Sequence, residues 1–428
     1  MKKSRKENLK RRRRKTEKLI FAIGLTSIIF VVATYAWFIG TTQIYVNEFE
    51  IGVKSGDGLT LSLDGTSFTN DVTISEETIT TGLVSTYATH TNHWVGEGLV
   101  PISSIGNMNK NASALELYSK TSITSLTGGY LLRADIIENA GTKSVTPEDG
   151  GEAINVPVPN EQEGYVAFDL FIKNKSGTGY NPTFNNGENE GIYMATESSV
   201  QLKAAGEETG GDGIENSIRI AFMQIGRVDM TTSKENMQKI TCGEGTGVDN
   251  DGVTNLCNVG DNNGKGITWN IWEPNDTKHN SASIAHFARI CKKRTAENTY
   301  EGVCTAIEDG VATNTYAVNQ QIGSDDNINI YDGLNDYTSI SEKLTSMSYF
   351  TDTIKNQAEK TEFFYLAPNS VTKVRVYVFL EGQDVDNYDL GAIGKKIAIT
   401  FGFTKDKFDM AAETTTTSST ETTTEAAG

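Results

Sequence analysis

Seven stretches of the chain alternate apolar and polar residues with a period of two, the pattern of a strand that buries one face. In 43–54 (QIYVNEFEIGVK), Tyr45, Phe49, Ile51 and Val53 share a side. Leu59, Leu61 and Leu63 alternate with Thr60, Ser62 and Asp64. In 165–173, Val166, Phe168, Leu170 and Ile172 oppose Tyr165, Ala167, Asp169 and Lys173. Ile218, Ile220 and Phe222 oppose Arg219, and Ile267, Trp269 and Ile271 form the next run. Pro274 stops that run, because proline donates nothing to a ladder. The two most regular runs come last. Val374, Val376, Val378 and Leu380 oppose Lys373, Arg375, Tyr377 and Phe379, and Ile397, Ile399, Phe401 and Phe403 share a face. Residues 66–160 are less regular and predict loops with short strands. One segment differs: 339–360 places Leu344, Met347, Phe350 and Ile354 near helical spacing and predicts a helix packed on the core. Strands at irregular spacing with almost no helix predict an all-β fold, a β-sandwich or jelly-roll with long loop insertions.

A different pattern opens the chain. Residues 19–40, bounded by Leu19 and Gly40, carry no charge, and as a helix they are long enough to cross a hydrocarbon core of roughly 30 Å. Residues 1–18 hold eleven Lys/Arg against two Glu, and basic residues stay on the cytoplasmic side. The expected layout is a basic cytoplasmic segment (1–18), a transmembrane signal anchor (19–40), an exported body (41–405) and a tail (406–428). The competing reading is a signal peptide cut between Ala36 and Trp37, where Thr34 and Ala36 supply the small residues. The length of the apolar run favours the anchor; the small residues favour cleavage.

Charge and cysteines sharpen the picture of the body. The chain carries −17 and the leader +9, which leaves −26 beyond residue 18. So acidic a body repels nucleic acid, and none is expected as a partner. Cys242, Cys257, Cys291 and Cys304 cluster in an insertion spanning 240–310. An even, clustered set in an exported chain reads as two disulfides. Of the three pairings, the local one (242 with 257, 291 with 304) closes the shortest loops. A four-cysteine zinc site lacks any C-x2-C spacing. The tail (AAETTTTSSTETTTEAAG, from Ala411) has nothing larger than Ala to bury, so it reads as a disordered spacer.

Candidate chemistry is sparse. Residues 249–252 (DNDG) and 261–264 (DNNG) offer oxygens of the kind calcium takes, without the spacing of a calcium loop, and such residues also make plain turns. His90 and His93 have a spacing that holds metal only on a helix, and their neighbours do not read as helical; His279 reads as a loop residue. Carboxylate pairs such as Asp384 with Asp386 and Glu163 with Asp169 arise by chance in so acidic a body. There is no G-x-S-x-G, H-E-x-x-H, phosphate loop or dinucleotide fingerprint. No catalytic or cofactor-binding residue is therefore nominated.

The membrane exit at 32–38 (VATYAWF), followed at once by a strand, resembles the start of the camelysin and TasA-like exported proteins of Gram-positive bacteria. That resemblance implies a jelly-roll surface protein, some relatives of which polymerise into biofilm-matrix fibres. The segments 217–222 (SIRIAF), 271–275 (IWEPN) and 373–386 (KVRVYVFLEGQDVD) resemble recurring motifs of uncharacterised membrane-anchored proteins of the Firmicutes and their wall-less relatives, with no activity attached. The chain departs from the fibre proteins in its basic leader, its cysteine region and its Thr-rich tail.

The expectation is a non-enzymatic, membrane-anchored surface protein with a structural or adhesive role in a matrix, fibre or envelope, self-associating or binding a surface glycan. The alternative is a carbohydrate-binding module or carbohydrate-active enzyme on the same scaffold, with Trp94, Trp272, Tyr377 and Phe379 as exposed stacking platforms. Packing within the sheet is the plainer role for those aromatics. A pilin-like subunit would need the apolar helix to pack in a filament core.

Overall fold

The computed structural model describes residues 49–75 (except 57), 92–93, 98–104, 108–109, 112–145 (except 127–128), 152–202 (except 184–187), 213–242, 248–249, 252–257, 269–275, 316–318, 329–331, 344–346, 350–351, 362–382, 386 and 397–405. The run 19–40, Ala36, Trp37, Trp94, His90, His279, Cys291, Cys304, Asp384 and the tail 406–428 lie outside them. Among the described residues no helix is long and apolar enough to cross a membrane.

The all-β expectation holds. Eleven strands build the centre: β1 (Phe49–Ser55), β2 (Leu59–Ser62), β3 (Asp71–Ser75), β4 (Val166–Asn174), β5 (Glu190–Met194), β6 (Ser199–Leu202), β7 (Ile218–Asp229), β8 (Trp269–Trp272), β9 (Phe364–Leu366), β10 (Ser370–Glu381) and β11 (Ile397–Thr404). The larger sheet runs β2-β4-β10-β7-β8, each neighbour antiparallel. The smaller runs β9-β5-β11-β1-β3, with β6 also beside β11. Within it β1 and β11 are parallel, Phe49 opposite Ile397 through Ser55 opposite Phe403.

The two sheets pack face to face in a sandwich-like arrangement. Phe168, Leu170 and Ile172 of β4, Ile218, Ile220 and Phe222 of β7, and Val374, Val376 and Val378 of β10 meet Ile51, Val53, Ile399, Phe401 and Phe403 of the smaller sheet. Phe222 stands edge-on to Phe363, Phe401 and Phe403 at 5.1, 5.2 and 5.8 Å between ring centres, the geometry aromatic quadrupoles prefer.

The opposite face of the larger sheet corrects the half-buried expectation. It is buried too. Tyr165, Ala167, Phe171, Ala221, Met223, Tyr377 and Phe379 form a second core with Leu115, Leu117, Met237, Ile240, Val253 and Cys257. Two chain segments cover this face: 98–145 and 230–257. The second begins with a short helix, α1 (Lys234–Gln238), whose first turn is capped by Asn236 N donating to Ser233 Oγ at 3.4 Å. Tyr377 and Phe379 are fully buried beneath these segments and Trp272 in the inter-sheet core, so none of the three is an exposed platform.

Two further expectations change. Leu344–Ser346 and Phe350–Thr351 are strands, the first paired with Tyr316–Val318 and the second with β8. Ser, Thr, Tyr and Phe suit a pleated backbone, and a pairing edge outweighs four apolar residues at helical spacing. Residues 66–160 also hold long hairpins, Tyr118–Leu126 with Gly129–Ile136 and Ala140–Val145 with Ile154–Pro159. Tyr118–Leu126 is Ser- and Thr-rich and carries no apolar period, whereas Ile154, Val156 and Val158 alternate with Asn155, Pro157 and Pro159, prolines that read against a strand.

The second core demands close backbone approach. A bulge between Gln224 and Gly226 shifts the β7–β10 register and frees Ile225 O to accept from Leu256 N at 3.2 Å. A Cβ at Gly226 would meet Ile240 Cγ2 at 2.9 Å and Val253 Cγ1 at 3.0 Å. Cys242 and Cys257 are disulfide-bonded with Cα atoms 5.5 Å apart, which fastens the covering segment to itself over the bulge.

Gly226→Ala is expected to destabilise the protein by about 1–3 kcal/mol through overpacking at this contact. Replacing Cys242 and Cys257 together by Ser should cost about 3 kcal/mol, because the bridge closes a short loop. Urea unfolding of the two variants beside the parent measures both, and an unchanged midpoint would remove the corresponding constraint.

Candidate functional site

The charged residues of the strongest strands are not on the surface. Lys373, Arg375 and Asp169 sit on the face that the covering segments bury, and all three are at most 1% exposed. Register brings them together: Asp169 lies directly opposite Arg375, with Lys373 one pleat away on the same face. Arg375 Nε donates to Asp169 Oδ1 at 2.8 Å and its second nitrogen to Oδ2 at 3.2 Å. Lys373 Nζ lies 3.2 Å from Asp169 Oδ2 and donates to Ile240 O at 3.0 Å. Arg375 also donates to Ser113 O. The triad thus reaches both covering segments.

A second group continues the row. Tyr377 Oη donates to Glu161 Oε1 at 2.6 Å and Tyr165 Oη to Glu161 Oε2 at 2.5 Å. Leu115 N donates to Tyr377 Oη, and Asn139 Nδ2 to Leu115 O. Burial, then the Glu161 charge, pushes both phenols above the ordinary tyrosine value of 10.0. Burial also works against both cations of the triad. For Arg375 the two-point grip of Asp169 prevails, and it stays charged. For Lys373 burial prevails over Asp169, and its ammonium falls to about 8.

At the other end of the same strands residues from 217–222, 271–275 and 373–386 meet. From SIRIAF, Arg219 Nε donates to Glu273 Oε1 at 3.0 Å, and its Nη1 donates to Asn216 O and Ile218 O at 2.6 and 3.1 Å. From IWEPN, Ile271 enters the second core and Trp272 the first, while Asn275 Nδ2 donates to Val200 O of β6 at 3.2 Å. From KVRVYVFLEGQDVD, Asp386 Oδ2 accepts from Asn216 Nδ2 at 3.1 Å, and Glu381 is fully buried alongside. These segments tie the larger sheet to the smaller one and close its end.

The remaining candidates resolve individually. Asp249 Oδ1 accepts from Val253 N at 2.8 Å and Asp249 N donates to Val253 O, a tight turn ending at Gly252 with φ +78°. Residues 250–251 and 261–264 lie outside the described residues. Among the described residues no group of three or more His, Cys, Asp or Glu is arranged to hold a metal ion. Asn92–His93 is a strand beside β4, and His90 lies outside the described residues. Glu163 is exposed while Asp169 is spent in the triad, so they do not form a pair. Sequence reasoning missed Asp169 with Arg375 and Lys373, and Glu161 with its two tyrosines. The signal was there: charged residues alternating with aromatics on one face are poor company for solvent.

Asp169→Asn should cost about 3–5 kcal/mol in urea unfolding, because two buried cations lose their counter-ion. Replacing Asp169, Lys373 and Arg375 together by Leu, Met and Met should recover most of that loss, short of the Ser113 and Ile240 carbonyls left without donors. A triple variant no more stable than Asp169→Asn would overturn this account.

Stability should also depend on pH in a set way. Between about 8 and the ordinary lysine value of 10.5, the unfolded chain binds a proton on Lys373 that the native protein has released, so stability rises with pH. Above the ordinary tyrosine value of 10.0, native Tyr165 and Tyr377 keep protons that the unfolded chain loses, so stability falls. Thermal unfolding across this range checks both limbs; Lys373→Met should abolish the rise and keep the fall.

Comparison with protein-family models, with curated proteins and with solved structures finds no match.

Proposed function

We propose that this chain is an exported, membrane-anchored surface protein with a structural or adhesive role. The observation that carries the proposal is the disulfide between Cys242 and Cys257, set in a body that follows a basic leader and 22 uncharged residues. Disulfides persist in oxidising compartments, and the leader and apolar run supply the route there. The membrane span at 19–40 and a jelly-roll arrangement of the sandwich belong to the same proposal. The jelly roll draws support from a larger sheet whose central neighbours β4, β10 and β7 are far apart in sequence. The resemblance of 32–38 to the camelysin and TasA-like proteins points the same way.

The structural role rests on how the polar groups are used. Asp169, Arg375, Lys373, Arg219 and Glu273 are interior ties between strands and covering segments, a design that favours one rigid arrangement. A glycan-binding role would need an aromatic platform, and Trp272, Tyr377 and Phe379 are spent in the cores.

Fractionation of cells that make the protein, with mass spectrometry of its mature N-terminus, tests this reading. The expected result is a membrane-bound chain that retains 19–40 and whose body is cleaved by protease added to intact cells. A chain starting at Trp37 in the medium would replace the anchor with a released subunit. A soluble cytoplasmic pool would refute the proposal.

A further inference from the structure

The first and last strands among the described residues are neighbours, and they are parallel. β1 and β11 pair over seven residues, from Phe49 opposite Ile397 to Ser55 opposite Phe403. Parallel pairing places the start of β1 and the end of β11 at opposite ends of the ladder, about 23 Å apart at 3.3 Å per residue. The chain before Phe49 and the chain after Thr404 therefore leave in opposite directions.

We propose that the β1–β11 pair is a shear clamp that resists tension between the membrane side and the far side of the protein. This rests on the anchored topology for the source of the tension, but the clamp itself is a property of the fold. Pulling the two ends apart drags β1 and β11 past each other along their length. The evenly spaced bonds of a parallel ladder then share the force and must fail together. Had the strands been antiparallel, the two ends would leave from one side and the bonds would open singly.

Everything beside the pair opposes sliding. Ile51, Val53, Ile399, Phe401 and Phe403 lie in the inter-sheet core with at most 1% exposure, so a shift along the strand drives each into its neighbour's place. β11 is held on its other edge by β6, Ser199 opposite Thr400 through Leu202 opposite Ile397, and by β5 at Tyr193 and Met194. β1 is held by β3 over five residues. At the far end Gly56 N donates to Phe403 O at 2.7 Å, and Lys405 Nζ pairs with Glu190 at 3.5 Å.

The test is single-molecule stretching of the full chain in detergent micelles, with handles ligated at its two ends. The control moves the first handle to Thr66, an exposed turn residue, so that the ladder is no longer loaded end to end. We expect the end-to-end unfolding force to be roughly twofold or more above the control, since forced unfolding is set by the barrier along the pulled direction. Two folding-compatible variants add a second readout. Val53→Ala, in the clamp, should lower the end-to-end force; Val371→Ala, equally buried in β10 but in the second core, should leave it unchanged. Equal forces in the two geometries, or a loss from Val371→Ala without one from Val53→Ala, would overturn the inference. The fractionation experiment is independent: a cytoplasmic pool would remove the source of tension and leave the measured forces as they are.

Discussion

The larger sheet is buried on both faces, and the rest of the molecule follows from that constraint. A strand with two buried faces has nowhere to put a charge unless a partner waits opposite. Asp169 is that partner for Arg375 and Lys373, and its position directly across the β4–β10 pairing fixes which residues of the two strands can meet. Sliding β4 by one residue would turn Asp169 into the inter-sheet core and leave two cations alone in the other. The ion triad thus adds specificity of register where apolar packing alone would tolerate error.

The covering segments are held by the same groups. Ser113 O and Ile240 O accept from Arg375 and Lys373, so each segment docks through the charge it hides. The bulge at Gly226 and the bridge between Cys242 and Cys257 serve the second segment, while Glu161 with Tyr165 and Tyr377 serves the first. A polar row under two loops, satisfied by backbone carbonyls, gives the long insertions a reason to be ordered despite their few apolar residues.

Mechanical direction follows from topology instead of from any one residue. The chain enters and leaves the smaller sheet through adjacent parallel strands, and the packed aromatics of β11 lock that pair into the inter-sheet core. Under the proposed anchoring at one end, this order of strands would load the parallel pair along its length.

Much of this fold was legible in the sequence. Each period-two run is a strand over most of its described residues: 49–54 in β1, 59–62 in β2, 166–173 in β4, 218–223 in β7, 269–272 in β8, 373–380 in β10 and 397–404 in β11. Alternation reports burial on one face, and the inter-sheet core is that face. Local residues also determined the stop at Pro274 and the turn at Gly252. The helix expected at 339–360 failed because pairing edges lie elsewhere in the chain, and spacing within a window cannot see them. The hairpin at 118–136 was hidden because its first strand is Ser- and Thr-rich with no apolar period, and the one at 140–159 because Pro157 and Pro159 read against a strand. Only the tertiary structure decided that the second face of the larger sheet is interior, that Asp169 meets Arg375 across 206 residues, and that β1 runs parallel to β11. These are long-range facts. They depend on which segments come to lie over a sheet, and no local pattern of side chains encodes that.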